Sequence, residues 1–195
     1  MSESMRDLIQ QAQAGDGRAC EELFRRFVHS VFATARRLAG NAADAEDITQ
    51  ETFIRAFRGI GGFEQRSSFR TWLYRILLNV AQDFSRKRAK GPLGTSVQLY
   101  EGEDALAAGA EDGPAEQAGA EEERRLLRRA MGELPERERV ALTLVYLEGM
   151  SCSEAAEVME VREGTVYWWL HEARRRLARR LRAQWEFGNG SAGKG

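Results

Sequence analysis

The sequence predicts an all-α protein built as two small helical domains joined by a flexible linker, and three observations predict it. Apolar residues recur at three-and-four spacing along most of the chain, alternating runs long enough for a strand are missing, and one internal stretch cannot build a core. That stretch, "GPLGTSVQLYEGEDALAAGAEDGPAEQAGA" over 91–120, is rich in Gly, Ala and acids, holds Pro92 and Pro114, and contains no Lys or Arg. As a flexible chain it spans about 30 Å and stretches toward about 100 Å, so the two units can engage well-separated sites on one ligand.

Before the linker, "GRACEELFRRFVHSVFATARRLAG" places Leu23, Phe24, Phe27, Val31, Ala35 and Leu38 on one helical face and ends on Gly40, a C-cap. "NAADAEDITQETFIRAF" follows, with Asp44 as the expected N-cap, acids in the first turn, and Ile48, Phe53 and Phe57 turned inward. "GGF" breaks that helix. Ser67 or Ser68 then caps another, whose Phe69, Trp72, Leu73, Ile76, Leu77, Val80 and Phe84 form an apolar face. After the linker four helices are expected: Pro135 opens the second, Gly149 closes it, and Ser151 with Glu154 matches a capping box for the third.

Composition excludes several functions. With 195 residues, 43% hydrophobic and 30% charged, the chain has material for one ordinary domain or two small ones. No apolar run approaches the roughly 18 residues of a membrane span, and "MSESMRDLIQQ" lacks the basic start and apolar stretch of a signal peptide, so a cytoplasmic protein with no membrane insertion is expected. Cys20, Cys152, His29 and His171 are too few and too scattered for a zinc site or a disulfide framework; both cysteines are expected as small buried hydrophobes. Asp44, Glu46, Asp47 and Glu51 suggest a metal-binding enzyme only superficially. Acids at a helix start complement its dipole, and no histidine or second carboxylate-bearing core helix stands at ligand spacing. No metal and no cofactor are expected. The net charge of −1 conceals a partition of 15 basic against 11 acidic residues over 1–90, 0 against 6 over 91–120, and 14 against 13 over 121–195. Local basic clusters, not the whole-chain charge, are what a polyanion meets.

The sharpest local pattern lies over 152–171. Ala155, Ala156 and Met159, then Val161, then Val166 and Leu170 are small or apolar where two helices of a helix-turn-helix cross. At 100° per residue, Val166, Leu170, Ala173 and Leu177 define the buried stripe of the second helix. Trp169 lies beside that stripe, whereas Trp168 falls nearly opposite it, with Thr165, His171, Glu172, Arg175 and Arg179. One ring is expected in the lobe and the other on the face that meets a ligand, where a major groove offers thymine methyls and phosphates.

Together, "DAEDITQETFIRAF", "FRTWLYRILLNVAQDFSRK", "LPERERVALTLVYLEGMSCSEAAEVM" and "REGTVYWWLHEARRRL" closely resemble the extracytoplasmic-function class of bacterial sigma factors, from about Leu8 to Leu181. The resemblance implies a region 2 domain over 1–90, the linker over 91–120, a region 4 domain over 121–185 and a disordered tail over 186–195. It implies core RNA polymerase and promoter DNA as partners, an anti-sigma factor as a further one, and no catalytic residues. Asp44, Asp47, Gln50, Glu51 and Phe53 correspond to the polymerase contact. Gly62, Gln65, Arg66, Ser67, Arg70, Asn79, Asp83 and Arg86 correspond to the reader of the −10 element, with Gly61, Gly62 and Gln65 the base pocket, since opening a duplex needs amides for bases and arginines for phosphates. Arg162, Thr165, Tyr167, Trp168, His171, Arg174 and Arg175 correspond to the −35 reader. Relatives commonly carry Lys, Ser and Arg where this chain has Tyr167, Trp168 and Trp169, so their usual −35 sequence does not transfer. The competing reading is a helix-turn-helix regulator acting without polymerase; a full second lobe with no sustained heptad repeat speaks against it.

Overall fold

The computed structural model describes residues 3–89, 125–127 and 129–190, all helix, turn or loop and no strand among them. The expected linker, 91–120, lies outside the described residues, as do residues 191–195 of the expected tail.

The N-terminal lobe consists of α1 (Glu3–Gln13), α2 (Gly17–Ala39), α3 (Ala42–Gly59), a 3₁₀ turn at Ile60–Gly62 and α4 (Phe69–Ala89). Asp16 caps α2 by accepting the Arg18 N–H at 2.8 Å. Gly40 ends it at φ +79°, a left-handed conformation that glycine adopts without a Cβ penalty, and donates its N–H to the Arg36 carbonyl. The cap of α3 is Asn41, not Asp44. Its Oδ1 accepts the Asp44 N–H at 2.9 Å while its Nδ2 donates to the Asp44 carboxylate at 2.8 Å. An amide offers both a donor and an acceptor, so the helix starts three residues earlier than an acidic cap would set it. Ser68 caps α4, its Oγ accepting the Thr71 N–H at 3.0 Å.

Leu23, Val31 and Ala35 of α2, Ile48 and Ala56 of α3, and Phe69, Leu73, Tyr74, Leu77 and Val80 of α4 form the core of this lobe. Phe63 packs against Phe69 and Trp72, with ring centroids 5.8 Å and 5.0 Å apart, and so seats the loop before α4. Gln13 holds the same loop from the other side, donating its Nε2 to the carbonyls of Ile60 and Phe63 at 3.0 Å and 2.8 Å. Phe24, expected inside, is exposed at the lobe edge with its ring 4.8 Å from Phe53.

In the C-terminal lobe, helical residues 129–132 lead to Pro135, whose carbonyl accepts the N–H groups of Glu138 and Arg139. Next come α5 (Glu136–Leu142), a π-helical turn over Thr143–Leu147, α6 (Cys152–Met159) and α7 (Glu163–Gly190). The capping box is complete: Ser151 Oγ accepts the Glu154 N–H at 3.1 Å and the Glu154 carboxylate accepts the Ser151 N–H at 2.9 Å. Helix α7 runs on through residues 186–190, where the sequence suggests disorder. The strong helix formers from Ala173 to Gln184 favour propagation past that point. Ala155, Ala156, Val166, Leu170 and Ala173 are buried where α6 and α7 cross, as the spacing requires. Cys20 and Cys152 are both half-buried free thiols packed at the core edge, not fully buried.

The lobes touch: α4 packs against α6. Among the described residues no helix is long and apolar enough to cross a membrane.

Candidate nucleic-acid and polymerase interface

The helix-turn-helix turn is tight because Glu160 takes a left-handed conformation, φ +55°, and Val161 donates its N–H back to the Ala156 carbonyl at 3.0 Å. This fixes where α7 begins and therefore how each ring faces. Trp169 is 8% exposed and Trp168 57% exposed, with Tyr167 beside it also at 57%. His171, Arg174 and Arg175 are exposed on the same helix, Arg162 is exposed in the turn just before it, and Thr165 is half-buried. Tyr167 lies close to Cys152 and Glu163, whose negative forms, Cys152 first, raise the pKa of its phenol.

The arginines of α7 divide into two groups. Arg176 pairs as an ion with the buried Glu138 carboxylate at 3.1 Å and Arg180 with Glu133 at 2.7 Å, tying α7 to the start of the lobe. Arg175 pairs along its own helix with Glu172 at 2.8 Å, and Arg174 donates to the Leu170 carbonyl at 3.3 Å; both keep exposed guanidinium groups.

In the N-terminal lobe the loop ahead of α4 is open. Gly61, Gly62 and Arg66 are exposed, Ser67 is half-buried, and Gln65 takes φ +56°. A non-glycine residue in that conformation costs about 1 kcal/mol, which marks the loop as held by its surroundings. Arg66 pairs only locally, with Glu64 at 2.7 Å. Along α4, Asn79 and Arg86 are exposed and Arg70 is half-buried. Asp83 is engaged on both sides, accepting from Arg55 of α3 and from Arg86, each at 2.9 Å. The Arg55 guanidinium holds the Asp83 carboxyl below the usual carboxylate range. Asp83 therefore orients Arg86 rather than offering a free acid.

On α3, Asp47 and Gln50 are exposed, Glu51 accepts from Arg55 Nε at 2.7 Å, and Asp44 pairs with Arg88 of α4. Phe53 is 4% exposed, wedged between Phe24 and Phe57, so it supports this surface from inside and cannot reach a partner. Ile54, which sequence reasoning passed over, is exposed instead. Asp47, Gln50, Glu51 and Ile54 line a shallow depression of about 350 Å³ with Phe84 and Lys87 of α4. The signal was present: 47, 50, 51 and 54 follow the i, i+3, i+4, i+7 period.

The second omission is Glu148, at the contact between the lobes. Its side chain is 6% exposed. One oxygen accepts from Thr34 Oγ1 at 2.6 Å and Arg37 Nη1 at 3.0 Å, the other from Tyr74 Oη at 2.7 Å. Arg70 Nη2 donates to the Glu148 main-chain carbonyl and approaches the carboxylate at 3.4 Å. Burial, and then the bond to Glu148, push the Tyr74 phenol up to about 12. Nothing in the local sequence around Glu148 signals partners more than seventy residues away.

The model for sigma-70 region 2 matches residues 23–91, and that for sigma-70, region 4, matches residues 124–177. The chain is 33% identical over 184 residues to the RNA polymerase sigma-H factor of Pseudomonas aeruginosa, covering 92% of this chain and 94% of that protein. It is 35% identical over 171 residues to the ECF RNA polymerase sigma-E factor of Escherichia coli, covering 85% and 89%. Among solved structures, CnrH in complex with the cytosolic domain of CnrY superposes with a TM-score of 0.69 at 26% identity, over 93% of this chain and 99% of that one. The sigma factor RpoE of Bartonella quintana, solved with the anti-sigma factor NepR, gives 0.68 at 23% identity over 83% and 96%, and shows the same fold. Two helical lobes, a helix-turn-helix in the second, and full-length likeness to two such factors establish that the chain belongs to the extracytoplasmic-function group of the sigma-70 family, which directs RNA polymerase to promoters.

Proposed function

We propose that the two lobes divide promoter recognition between them, and that the −35 element is read through an aromatic surface unusual for the family. The observation that carries this is the opposite exposure of two adjacent rings, Trp168 outward and Trp169 inward, on the second helix of a helix-turn-helix. Tyr167, Trp168 and His171 face the bases, while Arg162, Thr165, Arg174 and Arg175 serve phosphates and groove edges. In the N-terminal lobe, the Gly61–Gly62 turn and Gln65 receive an unstacked base of the −10 element, and Arg66, Ser67, Arg70, Asn79 and Arg86 follow its strand. Asp47, Gln50, Glu51 and Ile54 supply the polymerase contact, with Asp44 bracing it through Arg88. The working units are residues 1–90 and 121–185, tethered by 91–120.

The protein acts in the cytoplasm as an initiation factor and not as an enzyme. An anti-sigma factor is its regulatory partner; support comes from the fold shared with a sigma factor solved bound to one, and from CnrH, solved with a partner's cytosolic domain. Run-off transcription with sigma-free bacterial core polymerase and host genomic fragments tests the reading. Discrete transcripts absent from core alone are expected, and their shared upstream sequence reports what Trp168 reads. No transcripts and no binding to core would transfer the weight to a regulator acting through the C-terminal lobe.

A further inference from the structure

The Glu148 carboxylate is received by a site that belongs wholly to the other lobe. Thr34 and Arg37 come from α2, Arg70 and Tyr74 from α4. Two guanidinium groups and two hydroxyls converge on one carboxylate, so the pocket retains an excess of one positive charge when Glu148 is seated. It also retains donor capacity: the Arg37 Nε–H is buried and has no hydrogen-bond partner in the structure. Thr34 and Tyr74 are fully buried, and their hydroxyls point at a ligand delivered by a different part of the chain. Arg37 and Arg70 are partly covered in the docked state, with side chains 15% and 33% exposed, and there their charges are met by the Glu148 carboxylate.

One of its arginines, Arg70, lies on the helix assigned above to the −10 strand. Arg75, one turn further on, is likewise occupied by the C-terminal lobe, donating to the Glu157 carbonyl at 3.2 Å and approaching Glu160 at 3.7 Å. A nucleic-acid strand following α4 therefore meets acidic and carbonyl oxygens of the helix-turn-helix already in place.

We propose that Thr34, Arg37, Arg70 and Tyr74 form a phosphate-binding pocket for the melted promoter strand, which Glu148 fills in cis when the lobes are docked. Glu148 is thus an intramolecular competitor of DNA. A phosphodiester presents two anionic non-bridging oxygens, as a carboxylate does, and matches the fork geometry of two arginines. Seating it requires the C-terminal lobe to move off α4, the movement that also frees Arg75. The inference rests on the reading of α4 as the strand-facing helix.

The test compares binding of a fluorescein-labelled single-stranded DNA, without core polymerase, by the full chain and two variants, with small-angle scattering reporting lobe separation and circular dichroism reporting helix content. Glu148→Gln is expected to extend the molecule and to raise DNA affinity about tenfold or more, the scale of lost hydrogen bonds to a charged group. Adding Arg37→Ala to Glu148→Gln is expected to abolish that gain. If Glu148 were only a latch, Arg37→Ala would undock the lobes as Glu148→Gln does and raise DNA affinity by itself; that outcome overturns the pocket. Extension with no gain in affinity also overturns it, and with run-off activity intact it leaves the family function standing. Should Glu148→Gln fold poorly, wild-type chain on core is assayed against promoters carrying single neutral methylphosphonate linkages. One position must weaken opening in wild type but not in Arg37→Ala, and absence of any such position overturns the proposal.

Discussion

At position 168 a ring of about the largest apolar area available to a side chain is left in water, one residue before a ring that is buried. The two substitutions should therefore separate stability from recognition. Replacing Trp169 by Ala opens a cavity under α7 and is expected to destabilise the C-terminal lobe by about 3 kcal/mol, read as a lowered Tm. Replacing Trp168 by Ser is expected to stay within about 0.5 kcal/mol of wild type while changing which promoters give run-off transcripts. An unchanged promoter set with Trp168→Ser would remove the aromatic readout. Phe53 teaches the same distinction in the opposite direction: a family position for partner contact is here part of the packing, and its exposed neighbour Ile54 takes the surface.

Helix α7 presents a run of arginines, and the fold sorts them by angle. Arg176 and Arg180 reach back to Glu138 and Glu133, whereas Arg174 and Arg175 stand outward. Arg174→Ala is expected to flatten the salt dependence of promoter DNA binding, lowering the slope of log K against log salt by about one. Arg176→Ala is expected to leave that slope unchanged and to lower the Tm, because it strips the counter-ion from a buried carboxylate. Much of the architecture was legible at this scale. The Ser151–Glu154 box, the Gly40 terminus and the buried stripe Val166, Leu170, Ala173 are local patterns, fixed by residues within a turn or two of each other. The Asn41 cap was missed because two good capping residues stand three apart and only the three-dimensional start of α3 distinguishes them.

What the sequence could not disclose belongs to the molecule as a whole, because Thr34, Arg37, Arg70, Tyr74 and Glu148 come together only when two lobes dock. The Tyr74 phenol carries a pH signature, set first by its burial and then by its bond to Glu148. A phenol raised from 10.0 to about 12 contributes stability that is complete below pH 10, where both states are protonated, and is lost as pH rises toward 12. Near-ultraviolet titration should show one phenolate forming close to pH 12, absent in Tyr74→Phe, and scattering should show the molecule extending over the same interval. The π-helical turn just before Glu148 has a bearing on all of this. Its closing bond runs from the Glu148 N–H to the Thr143 carbonyl, five residues back, so the turn holds one residue more than an α-helix would. That surplus residue sets the rotational phase of Glu148. Deleting one residue within 143–147 would turn the carboxylate by about 100° away from α4 with no charge removed. In this protein the strength of self-masking is therefore written in helix phase as well as in chemistry, and a single-residue length change can reset it.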